Sequence, residues 1–358
     1  EYNRANRYEE SMKHIIYLSL MIGFLFTINS CITEPVYPRP EPWLCSINAD
    51  GTGFRKIMKS PFNTPGLVDI FMTKDNRIIF YGEKLWISET DTIRPVSITD
   101  NIYTLQQQPA RLSQSPDGSK LYFASRDKNI HELDLNTMQS RQLTTESIRT
   151  LRNPIVSDLG NYITYSSKGY GEPSKATEYI YWMNLSTGES DIIPCPDTVS
   201  VNPIYSETEN YVYYEKAGLF RSRLDGSDRS VVDTQGGSSY PYTMFSISQD
   251  QRYITHKSNP TYNNYFIRIY DKNSNIGNSI PIKDLYSYQF LGRMCKSANI
   301  VYYINPGYPE KLHSYNMDTG EDLVVLQNTS SLSISEFINI APTWDGSKVY
   351  FYAYIVEI

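Results

Sequence analysis

Beyond residue 40 the chain alternates short apolar or aromatic runs with tight polar clusters, and a strand preceded by a turn recurs at a nearly constant interval. The first copies are Lys74-Asp-Asn-Arg before Ile78–Tyr81, Asp117-Gly-Ser-Lys before Leu121–Ala124, and Asp158-Leu-Gly-Asn before Tyr162–Tyr165. Glu207-Thr-Glu-Asn precedes Tyr211–Tyr214, and Gln249-Asp-Gln-Arg precedes Tyr253–His256. Lys296-Ser-Ala-Asn precedes Ile300–Tyr303, and Asp345-Gly-Ser-Lys precedes Val349–Tyr352. The turns start 43, 41, 49, 42, 47 and 49 residues apart, which is the period of a four-stranded propeller blade.

Most copies are followed by a second strand that ends in another turn, as in Ile130–Thr137, Ile180–Gly188, Leu219–Gly226 and Leu312–Gly320; Leu85–Thr92 and Phe266–Asn273 match more loosely. The copy at Asp345 has no such successor, whereas Leu44–Gly51 and Gly53–Met58 have no turn-and-strand unit before them. The two ends are therefore complementary, and the pattern predicts an all-β, seven-bladed β-propeller closed by pairing its N- and C-terminal strands. The Asp-Gly-Ser-Lys-Leu-Tyr-Phe turn and strand, cleanest at Pro116–Lys120, and the Leu-Asp-Gly or Asp-Thr-Gly hairpins resemble TolB-like propeller repeats, the Pro-Asp-Gly relatives of WD repeats. The resemblance covers about residues 43–358 and implies a fold rather than an activity, since propellers host binding proteins and enzymes alike.

The N-terminal region reads as an address. Ile15–Ile28 is apolar except at Ser19, Gly23 and Thr27, too short to span a bilayer and suited to the core of a signal peptide. Met12-Lys13-His14 precedes it and Ile28-Asn29-Ser30-Cys31 follows, a pattern that resembles a bacterial lipoprotein lipobox. A lipobox implies that Cys31 carries the lipid and becomes the first mature residue. Residues 1–11 precede the expected start at Met12 and are set aside with the signal peptide, which makes 1–30 one processing segment. Residues 31–42 follow as lipidated cysteine and spacer, with four prolines between Thr33 and Pro42 that favour an extended, semi-rigid chain. The propeller itself is expected over 43–358. Two or more acyl chains hold a protein firmly on a membrane, so the expected location is the bacterial cell envelope, at the outer membrane.

Charge narrows the partners. The chain has 33 Lys and Arg against 39 Asp and Glu, a net charge of −6, which disfavours nucleic acid. Cys45, Cys195 and Cys295 lie too far apart for a metal motif, and an odd number provides no disulfide framework. Tyrosine stands out at 31 copies, in keeping with many short strands.

Catalytic motifs are missing: there is no G-x-S-x-G, H-E-x-x-H, G-x-G-x-x-G, Walker loop or C-x-x-C. His131, His256 and His313 remain beyond the leader. A propeller family of oligogalacturonate lyases uses a histidine-rich metal site, so these three are the candidates for a metal-dependent polysaccharide lyase or hydrolase. In the repeat alignment, however, His256 takes a slot where other copies place Tyr81, Tyr165 or Tyr214, and His131 and His313 take one used by Trp86, Tyr181 and Phe220. Packing is thus the preferred reading, with no metal and no cofactor expected. The connections on one face are long: Lys168–Glu178, Asp233–Tyr242, Lys257–Asn264 and Asn305–Glu310. They carry Tyr170, Tyr240, Tyr242, Tyr262 and Tyr308 beside Asn, Ser and Gly, a composition suited to sugar or peptide surfaces. The expectation is a monomeric, lipid-anchored propeller that binds an envelope protein or a glycan through that face without catalysis.

Overall fold

The computed structural model describes residues 41–59, 69–81, 84–90, 96–99, 112–146, 149–168, 178–194, 201–215, 218–234, 246–261, 264–282, 292–295, 297–305 and 310–356. The chain divides into two compact units, Glu1–Arg39 and Pro40–Ile358, and all described residues fall in the second. They form strands and turns only, and no described helix is long and apolar enough to cross a membrane.

Twenty-eight strands make seven four-stranded antiparallel sheets. The chain enters with β1 (Glu41–Asn48) and β2 (Arg55–Lys59). Blade 1 is β3 (Asp69–Met72), β4 (Arg77–Tyr81), β5 (Leu85–Glu89) and β6 (Val96–Thr99); blade 2 is β7 (Ser113–Gln114), β8 (Lys120–Ala124), β9 (Ile130–Asp134) and β10 (Ser140–Gln142). Blade 3 is β11 (Thr150–Val156), β12 (Tyr162–Lys168), β13 (Glu178–Asn184) and β14 (Ser190–Ile193); blade 4 is β15 (Val201–Ser206), β16 (Tyr211–Glu215), β17 (Leu219–Ser222) and β18 (Ser230–Asp233). Blade 5 is β19 (Ser246–Ile247), β20 (Tyr253–Thr261), β21 (Asn264–Asp271) and β22 (Ile276–Ile282); blade 6 is β23 (Gly292–Cys295), β24 (Ile300–Asn305), β25 (Lys311–Asn316) and β26 (Asp322–Leu326). The seventh sheet joins β27 (Ser333–Pro342) and β28 (Lys348–Val356) to the first two strands in the order β2-β1-β28-β27. In it Trp43 stands opposite Ala353, Cys45 opposite Phe351 and Ile47 opposite Val349.

Two differences from the expected boundaries are local. Strand β1 begins at Glu41, so the last two residues assigned to the spacer pair with Ile355 and Tyr354. The segment Lys257–Asn264, read as a loop, is mostly hairpin: β20 and β21 stay paired through Ser258 and Phe266 to Thr261 and Asn264. Pro and Asn signalled a turn there, but continued cross-strand pairing carries the ladder past them. Only 262 and 263 remain between the strands, and Tyr262 lies outside the described residues.

The repeat is written in its turn. Between the first and second strands of every blade sits a residue with a left-handed backbone: Asn76, Gly118, Gly160, Asn210, Gln251, Asn299 and Gly346, with φ between 49° and 86°. Glycine adopts this conformation at no steric cost and asparagine tolerates it, so the copies that lack Asp-Gly keep the same geometry with Asn or Gln. A hydroxyl opens most of these turns. Ser115 Oγ accepts from Lys120 N at 2.9 Å and Ser248 Oγ from Tyr253 N at 2.8 Å. Ser157 and Thr343 bond the residue five positions on in the same way.

Each blade then buries both faces against its neighbours. Tyr213, Leu219, Ile247, Ile254 and Tyr270 pack between blades 4 and 5. Tyr302, Phe337, Ile340 and Phe351 pack between blades 6 and 7. The first strands contact one another around the ring, β7 with β11, β11 with β15, β23 with β27 and β27 with β3, which makes them the innermost strands lining the axis.

Candidate functional site

The two faces of the propeller are built differently. On one, the connections are short and tied down by side chains: 73–76, 115–119, 157–161, 207–210, 248–252 and 343–347 join first strands to second. The turn carboxylates lock them. Asp117 accepts from the Ser115 hydroxyl at 2.5 Å and from Ser119 N at 3.0 Å; with the Ser115 bond leading, these hold its pKa at about 2. Asp345 is lowered in the same way, led by the bond from Ser347 N. In blades 3 and 4 the acidic residue directly follows the serine and reaches across the seam instead. Glu207 receives the Ser157 hydroxyl and Asn161 N (2.9 Å), while Asp158 receives Glu207 N at 2.6 Å.

The strand ends joined by the blade-to-blade connections lie on the opposite face, and in sequence the longest of these connections are 60–68, 100–112, 234–245 and 283–291. Each innermost strand starts there. Four residues before the Ser or Thr of the turn, the described innermost strands place Asp69, Asn153, Asn202 and Asn339 at one repeat position. Asn153 and Asn202 take left-handed φ values of 53° and 55° ahead of a proline, and the pairing shifts at each, between Arg152 and Ile155 and between Val201 and Ile204. Such bulges re-aim side chains; here they bring Asn153 Nδ2 to Asn202 Oδ1 at 2.9 Å across blades 3 and 4.

Opposite them lies a charged bridge. Asp69, at the start of β3, is 2% exposed. Its Oδ1 accepts from Ile70 N at 2.8 Å, and its Oδ2 accepts from the Tyr81 hydroxyl and from Arg293 Nη2 at 2.5 Å. Burial pushes the Tyr81 phenol far above its usual range, and the Asp69 charge adds to this. Arg293 belongs to β23 of blade 6 and Asp69 to β3 of blade 1, so the bridge links the two innermost strands that flank β27.

The histidines do not converge. His131, His256 and His313 lie on β9, β20 and β25, three different sheets. His131 stacks on Phe123 with centroids 5.7 Å apart, and His313 stacks on Tyr303 at 4.9 Å. They occupy the cross-strand positions that Tyr181 and Phe220 fill against Tyr165 and Tyr214. His256 is fully buried opposite Arg268, with Nε2 3.5 Å from Asp233. Each has its own carboxylate, Asp127, Asp233 or Asp322. Among the described residues no three His, Cys, Asp or Glu side chains are grouped to hold a metal ion. Cys45 and Cys295 are buried as free thiols. Burial raises the pKa of both, that of Cys45 to about 12, so neither is a ready nucleophile.

Cys31, Tyr170, Tyr240, Tyr242, Tyr262 and Tyr308 lie outside the described residues. The described part of blade 3 carries an aromatic group: Tyr165 stacks on Tyr181 at 5.3 Å, and Arg149 lies 4.6 Å over the Tyr179 ring while donating to the Tyr181 hydroxyl. Sequence reading passed over the axial residues. Asn153-Pro-Ile and Asn202-Pro-Ile were the available signal, a repeated tripeptide at one register; Arg293 carried none, because its partner is 224 positions away.

No protein-family model matches this chain, and no curated protein matches it in sequence. Solved structures do. An oligogalacturonate lyase in complex with manganese superposes with a TM-score of 0.57 at 14% identity, over 80% of this chain and 88% of that one. The oligogalacturonate lyase of Vibrio parahaemolyticus gives 0.57 at 11% identity, over 88% and 98%. TolB from Acinetobacter baumannii gives 0.50 at 15% identity, over 81% of this chain but 64% of TolB. At these identities the likeness is one of fold: this chain folds as a seven-bladed, TolB-like propeller.

Proposed function

We propose that the chain is a lipid-anchored propeller of the bacterial cell envelope that binds a protein or glycan partner through the face bearing its long connections, with no chemistry of its own. The observation that carries this reading is the contrast between the faces. One is closed by short turns whose hydroxyls and carboxylates are spent within their own turn or on the neighbouring one. The other holds the strand ends that the longest connections join, together with the Arg149–Tyr179 group. Binding surfaces on rigid scaffolds are commonly made of such loops. On this reading Cys31 carries the lipid at the outer membrane, residues beyond it hold the propeller off the surface, and pairing of β1 with β28 closes the ring.

The test is retention of the partner from solubilised envelope on the immobilised propeller. Alanine at both Tyr240 and Tyr242 is expected to weaken retention, and unchanged retention would discard the face. Anchoring is tested separately by Cys31→Ser, which is expected to move the protein from the membrane to the soluble fraction.

A further inference from the structure

We infer that the axial mouth receives a terminal carboxylate, and that Arg293 is the group that takes it. This stands apart from the loop tyrosines, because it rests on how charge is arranged at the channel.

The two members of the bridge differ in what remains open. Asp69 is buried, and its carboxylate is turned to the protein, taking Ile70 N, the Tyr81 hydroxyl and Arg293. A carboxylate offers about four lone-pair sites, so few remain. Arg293 keeps 40% of its side-chain surface accessible. A guanidinium has five N–H donors, and its described partners are confined to the Asp69–Tyr81 corner. Its surroundings disfavour charge, but the Asp69 carboxylate outweighs them and shifts its pKa upward. Arg293 stands on β23 and its partner Asp69 on β3, innermost strands that both contact β27, so the accessible edge of the guanidinium belongs to the axial end of these blades. Asp69 thus acts as a positioning residue, fixing the fork while the outward edge stays accessible.

The ligand class follows from the donors. A planar guanidinium matches a carboxylate in two parallel bonds. The amides of Asn339 on β27 and of Asn153 and Asn202 on the far side suit a polar group that follows the carboxylate inward. A terminal carboxylate entering end-on has this form, whether it ends a peptide or belongs to a small organic acid.

The experiment titrates the whole protein by calorimetry at constant ionic strength with N-acetyl-trialanine, its C-terminal amide, and citrate. Saturable binding of the free acid is expected, with the amide weaker by about tenfold or more, since the charge-assisted bonds are lost. Arg293→Gln is expected to remove that preference, while Arg293→Lys keeps part of it through charge without the fork. Citrate binding as tight as the peptide assigns the site to small acids; binding of the peptide acid alone assigns it to chain ends. Equal binding of acid and amide, unchanged binding in Arg293→Gln, or no saturable binding of any carboxylate overturns the inference. Because Arg293→Gln also cuts a link between blades, Asn339→Asp provides a second reading. Its Oδ1 can still accept from Ile340 N, as Asn339 does at 2.9 Å, and the added charge is expected to weaken the acid and not the amide. Tyr240 and Tyr242 variants are expected to leave both titrations unchanged, which separates this site from the loop surface.

Discussion

The seam between blades 6 and 7 and the seam between blades 4 and 5 solve the same packing problem with different chemistry. At the first, Phe351 meets Phe337 at 5.4 Å and Phe54 at 6.3 Å, within a cluster that includes Ile47, Tyr302, Leu312 and Ile340. At the second, apolar packing of Tyr213, Leu219 and Ile254 is joined by a buried ion pair. Arg268 reaches Asp233 through Nε at 3.1 Å and Nη2 at 2.7 Å, both side chains being less than a tenth exposed, with His256 beside them. Connectivity separates the two cases. Blades 6 and 7 are also consecutive through β26 and β27, but Cys45, Ile47 and Phe54 of this cluster come from residues 41–59, which must be brought to 333–356, and closing a loop of about 300 residues costs about 5 kcal/mol by the logarithmic law. Apolar burial repays that without demanding exact geometry. Blades 4 and 5 are consecutive in the chain, so their approach is nearly free, and a desolvated charge pair is tolerated in return for a defined register.

The largest test of this contrast is Phe351→Ala, expected to destabilise by about 3–5 kcal/mol through lost burial and an unfilled cavity. Urea unfolding measures it; a loss below about 1 kcal/mol would mean that the end-joining seam is not where the ring is held. Next is Asp233→Asn, expected to cost about 2–3 kcal/mol because Arg268 is left buried without its counter-charge. The comparison sharpens with the pair replaced whole. Asp233→Leu with Arg268→Met is expected within about 1 kcal/mol of wild type, since removing both charges also removes their desolvation penalty. A double variant as unstable as the single one would show that the pair contributes more than register. The smallest effect belongs to the short-turn face. Asp117 has a folded pKa of about 2, below its unfolded value of about 3.9. Its contribution is therefore complete above the unfolded value and is lost as pH falls towards 2. Asp117 is exposed, so Asp117→Asn is expected to cost no more than about 1 kcal/mol at neutral pH. It should also flatten stability between pH 4 and 2, and an unchanged acid limb would exclude this carboxylate as its source.

Legibility followed the range of the interactions. The seven turns were readable because each needs a left-handed residue and most add a hydroxyl and an acceptor within a few positions, and Asn210, Gln251 and Asn299 show the geometry surviving where the Asp-Gly letters are lost. The packing of His131 and His313 was readable from register, because a cross-strand slot that takes Tyr or Phe also takes imidazole. The hairpin at 257–264 was misread as a loop, since Pro260 and the asparagines speak for a turn only when no neighbouring strand continues the ladder.

By itself, then, the order of residues determined the count of blades, the turn chemistry and the alternation that buries both faces of each sheet. The turn chemistry and the alternation depend on spacings shorter than one repeat, and the count follows from how often they recur. Only the folded ring decided that Asp69 meets Arg293 across blade 7, that Asn153 meets Asn202, and that Asp233 shares a seam with His256 and Arg268. A periodic sequence carries no mark of which copies will face each other around an axis. That choice is made by curvature and blade number, which exist only once all seven sheets are packed.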